Sequence, residues 1–260
     1  MSEPLAKRLK TANATPLLPS NSSRAPVKKI AVLGAGSYGT AIAYVLAKYR
    51  RAEKVILYCR NEAQAEGINR DHVNSKRFSD VKLPDNVVGT SNVGEAIKGS
   101  SLIVLGIPSQ HLPEFVEDNL MLFEDNIPLV STAKGIHVKS HKLMSQALEM
   151  VLGTRIDQIP LAYLSGPSFA KEMMKGHPMA LILASHKLET ATLCQDIMSC
   201  LHFRLYTSQD VIGVECGGAL KNPAAIGSGI AQGLGYGQSS IAGIVTRCCK
   251  EMRELAIALG

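Results

Sequence analysis

The sequence predicts an α/β protein in which a doubly wound sheet precedes the start of an all-helical region. Three observations carry this. From Lys29 onward, short apolar runs of strand length alternate with stretches of helical spacing. The first run enters a glycine-rich turn and then a helix. From about Val211 the pattern becomes helical and stays so to Gly260. The division expected is a tail over residues 1–28, a nucleotide-binding domain over 29–209 and a helical domain over 210–260.

Residues 1–28 are rich in Ser, Pro, Asn, Ala and basic residues and lack hydrophobic periodicity, which predicts disorder. No apolar core of a secretory signal is present. An organelle transit peptide and a basic import signal around Lys7-Arg8-Leu9-Lys10 stand as alternatives to a plain solvated tail.

The first strand is expected at Ile30-Ala31-Val32-Leu33. Gly34-Ala35-Gly36-Ser37-Tyr38-Gly39 follows, then an apolar helix from Thr40 to Ala47. A lone G-x-G-x-x-G is weak evidence, but strand, glycine turn and helix in this order make the dinucleotide fingerprint of a Rossmann-type sheet. Gly34 permits the tight turn, Gly36 lets backbone approach a pyrophosphate, and Gly39 lets helix and strand lie close. N–H groups at the helix start would face the anion. The second strand, Val55–Tyr58, ends where such folds meet the adenosine ribose. Cys59-Arg60-Asn61 stands there instead of an acid. Arg60 could stack on adenine or attract a 2′-phosphate, so NAD is expected with NADP left open.

Further strands are expected at 102–107, 128–132, 161–164, 180–184 and 203–206. Ligands in doubly wound sheets bind beyond the carboxyl ends of the strands. His111, Lys134 and Ser168 lie at such ends. Lys134 could meet an anion or polarise a carbonyl, or be a solvated loop lysine. Gly166-Pro167-Ser168 offers N–H groups and a hydroxyl suited to a small phosphate ester. Lys221 sits among Gly217, Gly218, Ala224 and Ala225. Partial desolvation is expected there, and with Lys134 nearby it would lower the lysine pKa enough for proton transfer with an alcohol. A helix-surface lysine beside a helix contact is the plainer reading.

The composition excludes several classes. The 260 residues are 46% hydrophobic and 19% charged, ordinary values for a globular protein. No apolar run has bilayer-spanning length. Six basic residues against Glu3 alone in residues 1–29 supply five of the six net positive charges. The rest offers no broad basic face for nucleic acid. The six cysteines form no Cys-x-x-Cys pair, which argues against zinc or a disulfide framework and for a reducing compartment. His137 and His141 lack a third ligand and read as surface residues, so no metal site is expected.

Taken together, these motifs resemble the NAD-dependent glycerol-3-phosphate dehydrogenase family. The resemblance rests on Gly-Ala-Gly-Ser-Tyr-Gly-Thr-Ala (34–41), Leu83-Pro84, Pro108-Ser109-Gln110, Ser-Thr-Ala-Lys-Gly-Ile (131–136), Ser-Gly-Pro-Ser-Phe-Ala (165–170) and Val-Glu-Cys-Gly-Gly-Ala-Leu-Lys-Asn (214–222), in the family's order, with Thr246-Arg247 and Glu251-Met252 beyond. It implies interconversion of glycerol 3-phosphate and dihydroxyacetone phosphate by hydride transfer with NAD. It makes Lys221 the proton acceptor and Lys134 a catalytic and substrate residue. Gly166, Ser168 and Asn222 fall to the substrate side. Gly34, Ala35, Gly36, Ser37, Tyr38, Gly39, Arg60, His111, Lys134 and Ala170 fall to the cofactor side. It further implies a cytoplasmic homodimer, with a plastid or other organelle as the alternative location.

Three departures qualify the resemblance. The family's Gly-Asp-Leu and Ser-Arg-Asn motifs, which supply an aspartate and a phosphate-clamping arginine, do not occur up to Gly260. A truncated chain with little or no turnover, and apolar surface left exposed on its helices, is the corresponding expectation. Pro223 should bend the helix after Asn222. Ser239 stands where the family more often has asparagine. The alternatives are a β-hydroxyacid or 6-phosphogluconate-type dehydrogenase, which usually spaces its lysine and asparagine further apart, and a non-catalytic nucleotide-binding fragment.

Overall fold

The computed structural model describes residues 25–260. The disordered tail expected at the N-terminus falls, up to residue 24, outside the described residues. Ordered strand begins at Val27, two residues before the expected Lys29.

The chain runs β1 (Val27–Leu33), α1 (Ser37–Lys48), β2 (Ala52–Tyr58), α2 (Glu62–Asp71), β3 (Val87–Thr90), α3 (Val93–Ile97), β4 (Leu102–Leu105) and α4 (Leu112–Asp118). It continues with β5 (Leu129–Ser131), α5 (Met144–Leu152), β6 (Leu161–Ser165), α6 (Ala170–Lys175), β7 (Met179–Ala184), α7 (Leu188–Met198) and β8 (Phe203–Ser208). Two long helices, α8 (Val211–Gly233) and α9 (Gln238–Leu259), complete it. The eight strands form one sheet in the order β3-β2-β1-β4-β5-β6-β7-β8. All neighbours are parallel except β6 and β7.

This is the doubly wound sheet that the sequence predicts, with two additions. The short β3, Val-Val-Gly-Thr, was not expected, because glycine and threonine cut its apolar run to two residues. The β6–β7 reversal follows from α6, a six-residue helix that spans too little for a crossover returning to the same edge of the sheet.

The sheet is buried on both faces, which is why residues 30–33 of β1 are apolar throughout. Ile30 and Val32 belong to one core with Ile42 and Leu46 of α1 and Cys194 of α7. Ala31 and Leu33 belong to the opposite core with Ala96 of α3, Leu112 of α4 and Leu148 of α5. All four β1 residues are fully buried. Complete burial of one leucine contributes about 1.5–3 kcal/mol, so these two layers fix β1 and the turn that leaves it.

α8 starts just beyond the sheet. The Asp210 side chain accepts the Gly213 N–H at 2.7 Å and caps the helix. α8 packs against β6, β7 and α5, and α9 packs against α8. The helix runs on across Pro223 to Gly233, and the ring costs the one hydrogen bond that its missing N–H would have made. α8 and α9 expose Ile226, Ile230, Val245 and Ile257. No described helix is long and apolar enough to cross a membrane.

Candidate active site

The glycine turn is built by close approach. Gly34 has φ +122°, and a Cβ there would fall 2.5 Å from the Gly106 carbonyl oxygen. A Cβ on Gly39 would fall 1.9 Å from the Gly34 oxygen. Neither position admits a side chain. Gly36 is different: its Cβ would meet nothing within 4 Å, and it precedes α1 without any side-chain cap. The first-turn N–H groups of α1 therefore face an open cradle with no side-chain acceptor of their own, which fits a pyrophosphate.

A buried polar group behind the turn holds its shape. Asn74 donates to the Ala35 carbonyl at 3.2 Å and to Thr40 Oγ1 at 2.8 Å, while Gln64 donates to Asn74 Oδ1 at 2.9 Å and to the Ala35 carbonyl at 3.2 Å. Sequence reasoning missed both residues. Each is a single amide far along the chain from the residue it holds, Gln64 29 positions and Asn74 39 positions after Ala35, and nothing local marks it. Arg60 is exposed just past β2, and Cys59 is buried, with burial pushing its thiol up to about 11. Asn61, where an acid was sought, caps α2 through Gln64 N–H at 3.0 Å. His111 is exposed and forms the N-cap position of α4.

On the substrate side, four groups form a circuit. Lys134 Nζ donates to the Gly166 carbonyl at 2.9 Å and lies 5.6 Å from the Tyr38 ring centroid. The Ser168 hydroxyl donates to the same carbonyl at 3.3 Å. The Tyr38 and Ser168 hydroxyls are 2.9 Å apart. The circuit joins the glycine turn, the loop after β5 and the turn after β6. Burial pushes the Tyr38 phenol up to about 12, against the lowering effect of its bond to Ser168. Ala170 opens α6 beside it.

Lys221 reaches this region from α8, its Nζ 5.2 Å from the Phe169 ring centroid. A cleft of about 1060 Å³ is lined by Lys134, Gly166, Gly217, Lys221, Asn222 and Arg253, among others. The two lysines predicted from separate motifs thus share one cleft. Lys134 is exposed overall, yet partial burial of its ammonium, and after it the Lys221 charge, hold it below the ordinary lysine pKa. One expectation is corrected. Lys221 and Asn222 are exposed, not desolvated, because their small neighbours on α8 leave the helix surface open where larger side chains would cover it. The His137 expectation is also corrected: it is buried, with Nδ1 2.9 Å from Ser140 Oγ, whereas His141 is exposed. Among the described residues no group of three His, Cys, Asp or Glu is placed to hold a metal.

Fold and site together define a Rossmann-type dinucleotide-binding protein with a lysine-bearing cleft at the carboxyl edge of its sheet. A family model for the N-terminus of NAD-dependent glycerol-3-phosphate dehydrogenase matches residues 29–191, and one for its C-terminus matches residues 210–260. The chain is 40% identical over 232 residues to the glycerol-3-phosphate dehydrogenase [NAD(P)+] of Leptospira biflexa, covering 89% of this chain and 69% of that protein. It is 35% identical to a chloroplastic NAD(+) enzyme of Arabidopsis thaliana, covering 90% of this chain and 55% of that protein. The crystal structure of glycerol-3-phosphate dehydrogenase from Coxiella burnetii superposes with a TM-score of 0.80 at 31% identity, over 90% of this chain and 70% of that one. The chain belongs to the NAD-dependent glycerol-3-phosphate dehydrogenase family. It spans about two thirds of the length of the bacterial relatives it matches.

Proposed function

We propose that this chain carries the nucleotide-binding part (29–209) and the lysine-bearing helical part (210–260) of an enzyme that interconverts glycerol 3-phosphate and dihydroxyacetone phosphate. The observation that carries this reading is the convergence of Lys134 and Lys221 on one cleft beside the glycine turn. The uncapped start of α1 and the open cradle at Gly36 would hold the pyrophosphate of NAD or NADP. Such a cofactor would supply hydride transfer to and from C2 of the substrate.

The chain's own groups supply the rest. Lys221 Nζ takes the C2 hydroxyl proton in one direction and returns it in the other. Lys134 holds negative charge near the substrate, exchanging its bond to the Gly166 carbonyl for one to the ligand. The Gly166–Ser168 turn and Asn222 orient the substrate. Arg60 and His111 border the cofactor side, where Arg60 suits a 2′-phosphate as well as adenine stacking. A cytoplasmic homodimer is part of this proposal. The described cysteines are all free, as in a reducing compartment.

The test is Lys221→Met in a version of the chain extended to full family length, with NADH binding followed by cofactor fluorescence and turnover by NADH oxidation with dihydroxyacetone phosphate. The chain contains no tryptophan to interfere with the fluorescence. Binding should persist and turnover should fall by at least about 100-fold. Loss of NADH binding would make Lys221 structural and refute the assignment.

A further inference from the structure

Glu215 lies in α8 six residues before Lys221, and the reaction as described does not use it. Its carboxylate accepts the Ser145 backbone N–H at 2.9 Å and the Ser145 hydroxyl at 2.5 Å. Ser145 is in the first turn of α5, whose N-cap position is Leu143, a residue with no side-chain acceptor. Gln146 Oε1 receives the Leu143 N–H at 3.2 Å. Glu215 thus caps α5 from a different helix, where a carboxylate suits both the unpaired N–H groups and the positive end of the helix dipole.

One turn further along α8, Gly218 passes the end of β6 so closely that a Cβ would fall 2.6 Å from Ser165 Oγ. Positions 215, 218 and 222 lie on one helix face. The same face closes a small cavity behind Lys134, lined by Tyr163, Ser165, Glu215 and Gly218. Tyr163 and Glu149 also face the carboxylate. A helix held at two points on one face cannot rotate or slide, and the residues next along it inherit a fixed height.

We propose that Glu215 is the positioning residue of the lysine pair: its seat on the N-terminus of α5, with the Gly218–Ser165 approach, sets Lys221 and Asn222 opposite Lys134. The proposal rests on reading these lysines as the substrate-side groups. Its test needs no turnover, so failure of the proposed reaction would leave this inference standing or falling on its own.

The experiment compares the wild type with Glu215→Ala, Glu215→Gln and Ser145→Ala. Two quantities are read by mass spectrometry: the pH midpoint of Lys134 acylation by an amine-reactive probe, and amide hydrogen exchange over residues 211–222. In Glu215→Ala the Lys134 midpoint should rise, because both the covering helix and the Lys221 charge move away. Exchange should speed by about tenfold. Glu215→Gln keeps an oxygen for the Ser145 N–H and should restore both readouts. Ser145→Ala loses only the hydroxyl bond and should fall between. NADH fluorescence should report unchanged binding in all three. A folded Glu215→Ala with the wild-type midpoint and exchange overturns the proposal, as does a Gln variant no better than Ala. If Glu215→Ala does not fold, Ser145→Ala decides, and wild-type values there overturn it.

Discussion

Tyr38→Phe removes one hydroxyl from the circuit between the glycine turn and the substrate turn, and its effect should reverse with pH. At about pH 8 the variant loses the 2.9 Å bond to Ser168, a neutral pair whose net contribution is about 0.5–1.5 kcal/mol. The wild type should then be more stable by about 1 kcal/mol. The Tyr38 phenol is held at about 12 when folded, against about 10 when unfolded. A folded-state pKa raised in this way gives stability that is complete below the unfolded value and is lost as pH rises through the folded one. Each pH unit across that window costs about 1.4 kcal/mol, so about that much is gone by roughly pH 11. Phenylalanine has no such proton to lose. The two proteins should become equally stable near that pH. Urea unfolding followed by circular dichroism at both pH values measures the difference, and comparing variants cancels the titration of every other group. A difference that stays constant from about pH 8 to 11 would show that the folded phenol ionises normally and would refute the burial argument.

Two further substitutions test the nucleotide side. Gly39→Ala places a methyl group 1.9 Å from the Gly34 oxygen, and backbone must move. It should lower stability by about 3 kcal/mol and abolish NADH fluorescence enhancement, whereas a wild-type unfolding midpoint would mean that the turn is not packed as described. Asn74→Ala leaves Thr40 Oγ1 without its amide donor and Gln64 without its amide acceptor, and the Ala35 carbonyl keeps only Gln64. It should cost about 1–3 kcal/mol in urea unfolding and weaken NADH binding several-fold, and unchanged affinity would show that the amide does not shape the turn.

The parts of the fold that were legible in sequence are those where a short stretch suffices. β4 and residues 30–33 of β1 are apolar at every position because both sheet faces are covered there. The glycines at 34 and 39 are legible because backbone approach excludes any other residue, and that demand falls within six positions. β3 was not legible because Val87-Val88 run straight into Gly89-Thr90, which leaves no apolar run of strand length. The support behind the turn was not legible either, since Asn74 meets Ala35 and Thr40 only through the path of α2. The surface reading of His137 failed in the same way: the residue is buried where the chain forms a bridge to Lys142, which local sequence does not encode.

Lys221 shows the limit most clearly. Its small neighbours are consistent with two opposite environments. Glycine and alanine allow another element to pack close, which desolvates a lysine; where nothing packs, they leave it bare. In this chain the first outcome holds on one face of α8, where Gly218 meets Ser165, and the second holds at Lys221 itself. Which outcome applies depends on helix rotation, and rotation is set by Glu215, a residue that in sequence is one acid among many. The signal that could have marked it is positional: an acid at i, a glycine at i+3 and an asparagine at i+7 describe one stripe down the helix, and only a stripe that is seated can aim a lysine.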